Sequence, residues 1–247
     1  LNHFKIKKRL ISYHKFNEKK EITNIIGELV SRIDNVCIGI FDSATARTMI
    51  CDTKYLRVGK YVTNDTGDKY MVTKVVEDEY IEVKPDLLGS PDLEGKIYLP
   101  APFYISGTKY ATNREWTIST NDLTSKTPLA WLLELIRLEK QGRGSSVNWR
   151  SDLRMFFLDE TDIQNYYTKD HRDNVVEPMS RLAELFMEVI DEDRTFETID
   201  DYELVTFSRF GVETDRGMFE NILDANLSGV ELRITLGKYK ANCHCEN

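Results

Sequence analysis

Residues 18–34 carry the most regular pattern in the chain. Ile22, Ile25, Ile26, Leu29, Val30 and Ile33 recur at three- and four-residue steps, with Glu21, Thr23, Asn24, Glu28, Ser31 and Arg32 between them. That period puts the six apolar side chains on one stripe and predicts an amphipathic helix, with Asn17 as its N-cap. A stripe of this kind either packs on its own domain or docks on another subunit, and amphipathic helices ordinarily serve their own core. From residue 36 to about residue 99 the pattern turns to strands. Residues 36–41, 47–51, 61–62, 70–76 and 80–83 are short, β-branched and aromatic, and Asn64-Asp65-Thr66-Gly67-Asp68 and Glu77-Asp78-Glu79 read as hairpin turns. A meander of about five strands, able to close as a barrel-like module, is expected. Pro85, Gly89, Pro91, Gly95, Pro100 and Pro102 then mark its exit.

A second module starts near Ser106. Thr127-Pro128 followed by the largely apolar residues 129–138 fits a capped helix or a buried strand, and periodicity does not decide between them. Leu153, Met155 and Phe157 alternate with Arg154, Phe156 and Leu158 as a strand ending at Asp159. Residues 174–191 predict a long helix with Met179, Leu182, Leu185, Phe186 and Val189 on one face and Pro178 in or near its first turn. Residues 204–210 and 230–236 are strand-like around a loop at 214–221. The expected class is α+β. An N-terminal amphipathic helix and a small β-barrel-like module precede a sheet covered on one face by the long helix. The division is 1–35, basic arm and helix; 36–105, β module; 106–247, α/β domain.

Charge narrows the function classes. The chain has 33 basic and 41 acidic residues, a net charge of −8, which argues against a protein that coats duplex nucleic acid over its whole surface. The first twenty residues run the other way, with Lys5, Lys7, Lys8, Arg9, Lys15, Lys19 and Lys20 against Glu18 alone. They read as a solvated arm that orders on contact with a partner, protein or nucleic acid. No apolar stretch follows these charges as in a secretory signal, and no run reaches the ~18 residues of a spanning helix, so cytoplasmic folding without a membrane partner is expected.

Catalytic chemistry is thinly represented. No nucleophile elbow, zinc-protease or phosphate-loop motif occurs. His3, His14 and His244 lie near the termini, and His171 sits in the charged stretch Lys169-Asp170-His171-Arg172-Asp173 as a surface histidine. Gly142-Arg143-Gly144-Ser145-Ser146 lacks the lysine of a phosphate cradle and reads as a plain loop. Cys37 lies in an apolar run and reads as core, Cys51 is isolated, and Cys243-His244-Cys245 lacks the paired spacing of a zinc site. The enzymatic alternative is a metal-dependent nuclease. In it Glu82 and Lys84 would form a strand-borne carboxylate–lysine pair, with Asp159, Glu160 and Asp162 adding oxygen ligands. Alternation exposes Glu and Lys together on any solvent-facing strand, so that spacing is weak support. No catalytic, cofactor-binding or metal residue is assigned, and no cofactor is expected. A soluble protein-interaction domain is the other alternative.

Several stretches resemble neck and tail proteins of tailed phages that infect Bacteroidota, including the crAss-like group. They are Cys51-Asp52-Thr53-Lys54-Tyr55-Leu56-Arg57-Val58-Gly59-Lys60; Leu99-Pro100-Ala101-Pro102-Phe103-Tyr104 with Gly107-Thr108 and Ala111-Thr112-Asn113-Arg114-Glu115; and Thr127-Pro128 with Trp131-Leu132-Leu133-Glu134. Residues 153–161 with Tyr167, Pro178 and the long helix follow, then Thr214-Asp215-Arg216-Gly217 and Asn221-Ile222-Leu223-Asp224-Ala225 with Leu227 and residues 230–234. Order and spacing carry the resemblance. It implies a tail-terminator-like or connector-like domain in a virion ring near the head-to-tail junction, assembled in the host cytoplasm. The implied partners are copies of itself and adjacent neck, portal or tail proteins, with genomic DNA passing non-specifically through the lumen. The acidic runs Asp191-Glu192-Asp193 and Asp200-Asp201 fit a wall that does not hold DNA, and equally fit ordinary solvated surface. The resemblance also implies that residues 129–138 form a strand paired with 153–159, leaving 139–152 as a long hairpin connection.

Overall fold

The computed structural model describes residues 18–35, 37–42, 47–49, 53–85, 95–119, 126–141, 148–193, 196, 201–213, 215 and 219–238. The basic residues before 18, Asn17, Cys51, the 142–146 loop and Cys243-His244-Cys245 lie outside them. The fold is α+β. Helix α1 (Glu18–Ser31) ends in a 3₁₀ turn, and its stripe is buried as expected, with Ile26, Leu29, Val30 and Ile33 in the core of its own chain.

Strands β1 (Cys37–Asp42), β2 (Arg47–Met49), β3 (Tyr61–Asn64), β4 (Lys69–Val76), β5 (Tyr80–Pro85) and β6 (Lys96–Tyr98) close a barrel in the order β1-β2-β5-β4-β3-β6, all antiparallel. The sequence implied about five strands in a meander. The sixth arises inside the stretch that reads as the barrel's exit, because a fully buried Ile97 and a tether from the β3–β4 turn outweigh its poor local signal. In that turn Asn64 Oδ1 accepts from Thr66 N at 3.0 Å and Asp68 N at 2.9 Å, and Gly67 supplies φ +86°. The next carboxylate, Asp65, accepts from Lys96 N at 2.9 Å and from the Tyr98 hydroxyl at 2.7 Å, which stitches β6 to the hairpin. Those two hydrogen bonds, the backbone one foremost, hold the Asp65 carboxyl below its ordinary range.

The second sheet joins β7 (Phe103–Gly107), β8 (Leu129–Leu133), β10 (Asn148–Glu160), β14 (Leu227–Lys238) and β11 (Tyr202–Phe207) in the order β11-β14-β10-β8-β7, while β9 (Arg137–Gln141) extends beside β10 and the short strands β12 (Gly211–Glu213) and β13 (Phe219–Asn221) pair separately. It begins at Phe103, and β7 runs parallel to β8 through the intervening helix α2 (Lys109–Ser119). The sequence pattern gave no sign of α2, whose buried residues are Trp116 and Thr112, with Tyr110 and Ile118 left exposed. Residues 129–138 are strand, as the resemblance implied, but in two pieces that both pair with β10. Because β9 and β10 continue pairing to Gln141 opposite Asn148, the expected 139–152 connection shrinks to residues 142–147, outside the described residues.

The central ladder runs from Trp149 opposite Lys238 to Glu160 opposite Leu227. At Gly229, φ is +153° and an added Cβ would lie 2.0 Å from the Phe157 carbonyl oxygen, so the two backbones meet where only glycine fits. On one sheet face lies α4 (Glu177–Glu192), entered through α3 (Thr168–His171) and a π-helical turn at Arg172–Val176, earlier than the 174 the periodicity implied. Met179, Leu182, Ala183 and Phe186 are fully buried there, each large side chain contributing roughly 1.5–3 kcal/mol. The same core takes in barrel residues such as Val62, Tyr70 and Ile97, so barrel, sheet and α1 share one interior. Gly27 lets α1 approach the Tyr104 ring, whose hydroxyl donates to Thr23 O at 2.9 Å.

Helix α4 covers one sheet face as expected, and the other face carries a second, separate core in which Trp131, Leu129, Phe156 and Leu158 pack against Trp116, Phe210 and Leu223. A strand shows alternate residues to opposite faces, and β8 is buried at every position because both faces find cover. Cys37 is exposed, not core. Ile38 beside it points inward, so alternation turns the thiol out, where it donates weakly to Gly39 O at 3.6 Å.

Candidate functional site

Asp159, one of the carboxylates in the nuclease alternative, ends the buried part of β10 with 1% of its surface exposed. Arg57 meets it at 2.7 Å and Lys60 at 2.6 Å, both from the segment leading into β3, and Glu160 N donates to it at 2.7 Å. Lys60 also donates to Thr127 Oγ1 at 2.6 Å, and Arg57 to Glu160 O at 3.1 Å. Asp159 therefore bolts the barrel to the sheet, and its oxygens are committed to two cations. The neighbouring groups are likewise engaged. Asp162 accepts from Asn165 Nδ2 at 2.6 Å and from the backbone N–H of Asn165 and Gln164, which together hold its carboxyl below the ordinary range. Thr161 Oγ1 lies 2.7 Å from His171 Nδ1, and the Tyr166 ring meets the imidazole edge-on. A cleft of about 460 Å³ opens beside these residues, with Val58 and Ile163 exposed at its rim.

Glu82 and Lys84 lie on β5, where Glu82 pairs with Lys74 at 3.6 Å and Lys84 is exposed. Among the described residues no three His, Cys, Asp or Glu side chains gather as a metal site. No helix among them is long and apolar enough to cross a membrane.

The larger opening is a groove of about 590 Å³ across the second sheet face, which the sequence reading missed. Its floor is aromatic: Phe156 stacks on Trp131 at 5.0 Å between ring centroids, and Phe210 and Phe207 close around it at 5.2 and 6.3 Å. No known family model and no curated protein matches this chain. The groove and its surroundings therefore have to be read from their own chemistry.

Beyond Phe156 the floor turns ionic. Arg154 and Arg233 stand directly opposite each other on β10 and β14, an arrangement that by itself repels. Glu231, two residues before Arg233 on the same face and 1% exposed, accepts from both, from Arg233 at 2.9 Å. Burial pushes the Glu231 carboxyl up, but the hydrogen bonds from Arg233 and Arg154 outweigh it and hold the group below its ordinary value. Arg233 pairs onward with Glu203 of β11 at 3.1 Å, and the Arg154 guanidinium lies over the Phe156 ring. The only trace of this network in the sequence is the Glu231–Arg233 spacing of two, which puts both on one strand face. The rim is open, with Leu135 69% and Val212 48% exposed. Beside the groove β11 is the outermost strand, with no described strand on its far side. A face of this kind is chemically suited to apolar burial and to main-chain pairing.

Proposed function

We propose that this chain is a structural subunit of a tailed-phage virion, assembling with copies of itself as a ring in the neck or tail near the head-to-tail junction. The observation that carries the assembly reading is the outer strand β11, which has no described strand on its far side, beside a groove with Leu135 and Val212 exposed at its rim. Proteins guard strand edges, and an edge left open is a ready surface for pairing. A rigid body in which barrel, sheet and helices share one core suits a subunit that holds shape within a ring. The placement in a phage neck or tail rests on the resemblance in residues 51–60, 99–115, 127–134, 153–178 and 214–234.

The test is the particle. Purified virions of a phage encoding the chain are expected to contain it in several symmetry-related copies, visible in a reconstruction at the head-to-tail junction. Its absence from virions, or a single copy per particle, refutes the proposal. A parallel assay on DNA with Mg²⁺ or Mn²⁺ is expected to show no cleavage; cleavage that disappears in Glu82→Ala would establish the nuclease reading instead.

A further inference from the structure

We propose that the loop between β10 and α3 of one copy, which carries Ile163 and Tyr167, seats in the aromatic groove of the next copy, so that successive copies join head to tail. This rests on the ring reading and names its contact, and both surfaces lie among the described residues. Their apolar parts match. Val58 and Ile163 stand exposed at the rim of the cleft beside Asp159, and Tyr167, four residues beyond Ile163, is 82% exposed. The groove offers a floor of Phe156, Phe207 and Phe210 between open rims at Leu135 and Val212, on which a tyrosine ring packs offset or edge-on.

The loop is shaped before it meets a partner. Asp162 holds the backbone N–H groups of Gln164 and Asn165, Tyr166 N donates to Asp162 O at 3.0 Å, and Tyr167 N donates to Asp170 Oδ2 at 2.9 Å. A knob fixed in this way loses little freedom on docking, so burying its apolar side chains goes largely into affinity.

The charges are of opposite sign. Lys109, Arg154 and Arg233 line the groove with Glu231, and Glu203 just outside takes part of the Arg233 charge, which leaves the groove with one positive charge in excess. At the knob Arg57 and Lys60 face Asp159, and the exposed Glu160 and Asp162 leave one negative charge in excess. Opposite potentials set the register and favour knob against groove over either surface against itself.

Geometry selects a second copy over the chain's own loop. From Phe156 to Glu160 the strand advances about 13 Å. Beyond it the chain turns into α3 and α4, which serve the core on the sheet face away from the groove. Knob and groove therefore stand on different sides of one copy, and a contact between unlike surfaces closes into a ring where the rotation permits.

The experiment uses the full chain with a photo-reactive phenylalanine at Tyr167, mixing ¹⁵N-labelled and unlabelled copies before irradiation. Crosslinks from residue 167 of one isotope to Leu135, Phe207 or Val212 of the other are expected. No mixed-isotope crosslink, or mixed crosslinks directed elsewhere, overturns the proposal. Tyr167→Ser and Leu135→Asp, both at exposed positions, are each expected to weaken self-association about tenfold while the unfolding midpoint stays in place. Self-association unchanged in both sinks the contact. In purified virions, a photo-reactive phenylalanine at Leu135 that captures only a different protein overturns the second copy as occupant and leaves the ring standing. Residue-167 crosslinks found only in closed, reciprocal dimers sink the ring and leave the knob-in-groove contact standing.

Discussion

Replacing Asp159 with asparagine tests whether barrel and sheet are held by one buried charge cluster. Asparagine keeps the shape and can still accept from Glu160 N, but it carries no charge and turns an NH₂ toward a cation. Arg57 and Lys60, with side chains 15% and 12% exposed, then lose their shared counter-charge. Removing one partner of a buried ion pair costs roughly 3–5 kcal/mol. The remaining bonds of Lys60 to Thr127 and of Arg57 to Glu160 O retain part of that, so the low end, about 3 kcal/mol, is expected. For a chain of this length about 2–4 °C accompanies each kcal/mol, which gives a fall in Tm of about 6–12 °C. Urea unfolding followed by tryptophan fluorescence, with calorimetry beside it, measures both. Lys60→Met in the Asp159→Asn background removes one orphaned cation and is expected to recover about half the loss, a coupling far from additive. A loss under about 1 kcal/mol for Asp159→Asn, or strict additivity in the double variant, would refute the account.

Glu231→Gln is expected to destabilise the chain at neutral pH. A carboxyl held below its ordinary 4.5 in the folded state contributes stability above that value and loses it as pH falls through the folded value. The gap between wild type and Glu231→Gln should therefore narrow below about pH 4.5; unfolding midpoints from pH 3 to 7 check this, and a constant gap contradicts it. Gly229→Ala forces a Cβ into the Phe157 carbonyl and is expected to cost about 3 kcal/mol or more, read as loss of cooperative unfolding or a large drop in midpoint. Leu182→Ala, fully buried on the sheet-facing side of α4, is expected to cost about 2–5 kcal/mol, whereas Leu135→Ala on the open rim should stay within about 0.5 kcal/mol; equal effects would contradict the burial assigned to each.

The amino-acid sequence by itself determined the elements whose partners lie one turn or one pleat away. The stripe from Ile22 to Ile33, the face of α4, the alternation from Leu153 to Leu158 and the turn at residues 64–68 follow from periods of 3.6 and 2 and from local turn chemistry. The α+β class follows from their order. What only tertiary structure decided depends on groups far apart in the chain. β6 exists because Asp65 reaches Lys96 and Tyr98. Residues 129–138 are strand because β10 offers a partner, where their own period fitted helix and strand alike. Cys37 faces outward because Ile38 takes the inner position, and α2 lies on the sheet through little more than Trp116, too weak a stripe to announce itself. Asp159 entered the sequence reading only as an added oxygen ligand in the nuclease alternative, and is a structural bolt because folding brings Arg57 and Lys60, about a hundred residues earlier, against it. Glu231 left only its spacing of two from Arg233 in the sequence, since its place is set by two arginines that meet only when β10 and β14 pair in this register. Local free energy fixes periodic elements, while burial and charge compensation at long range fix which of them meet.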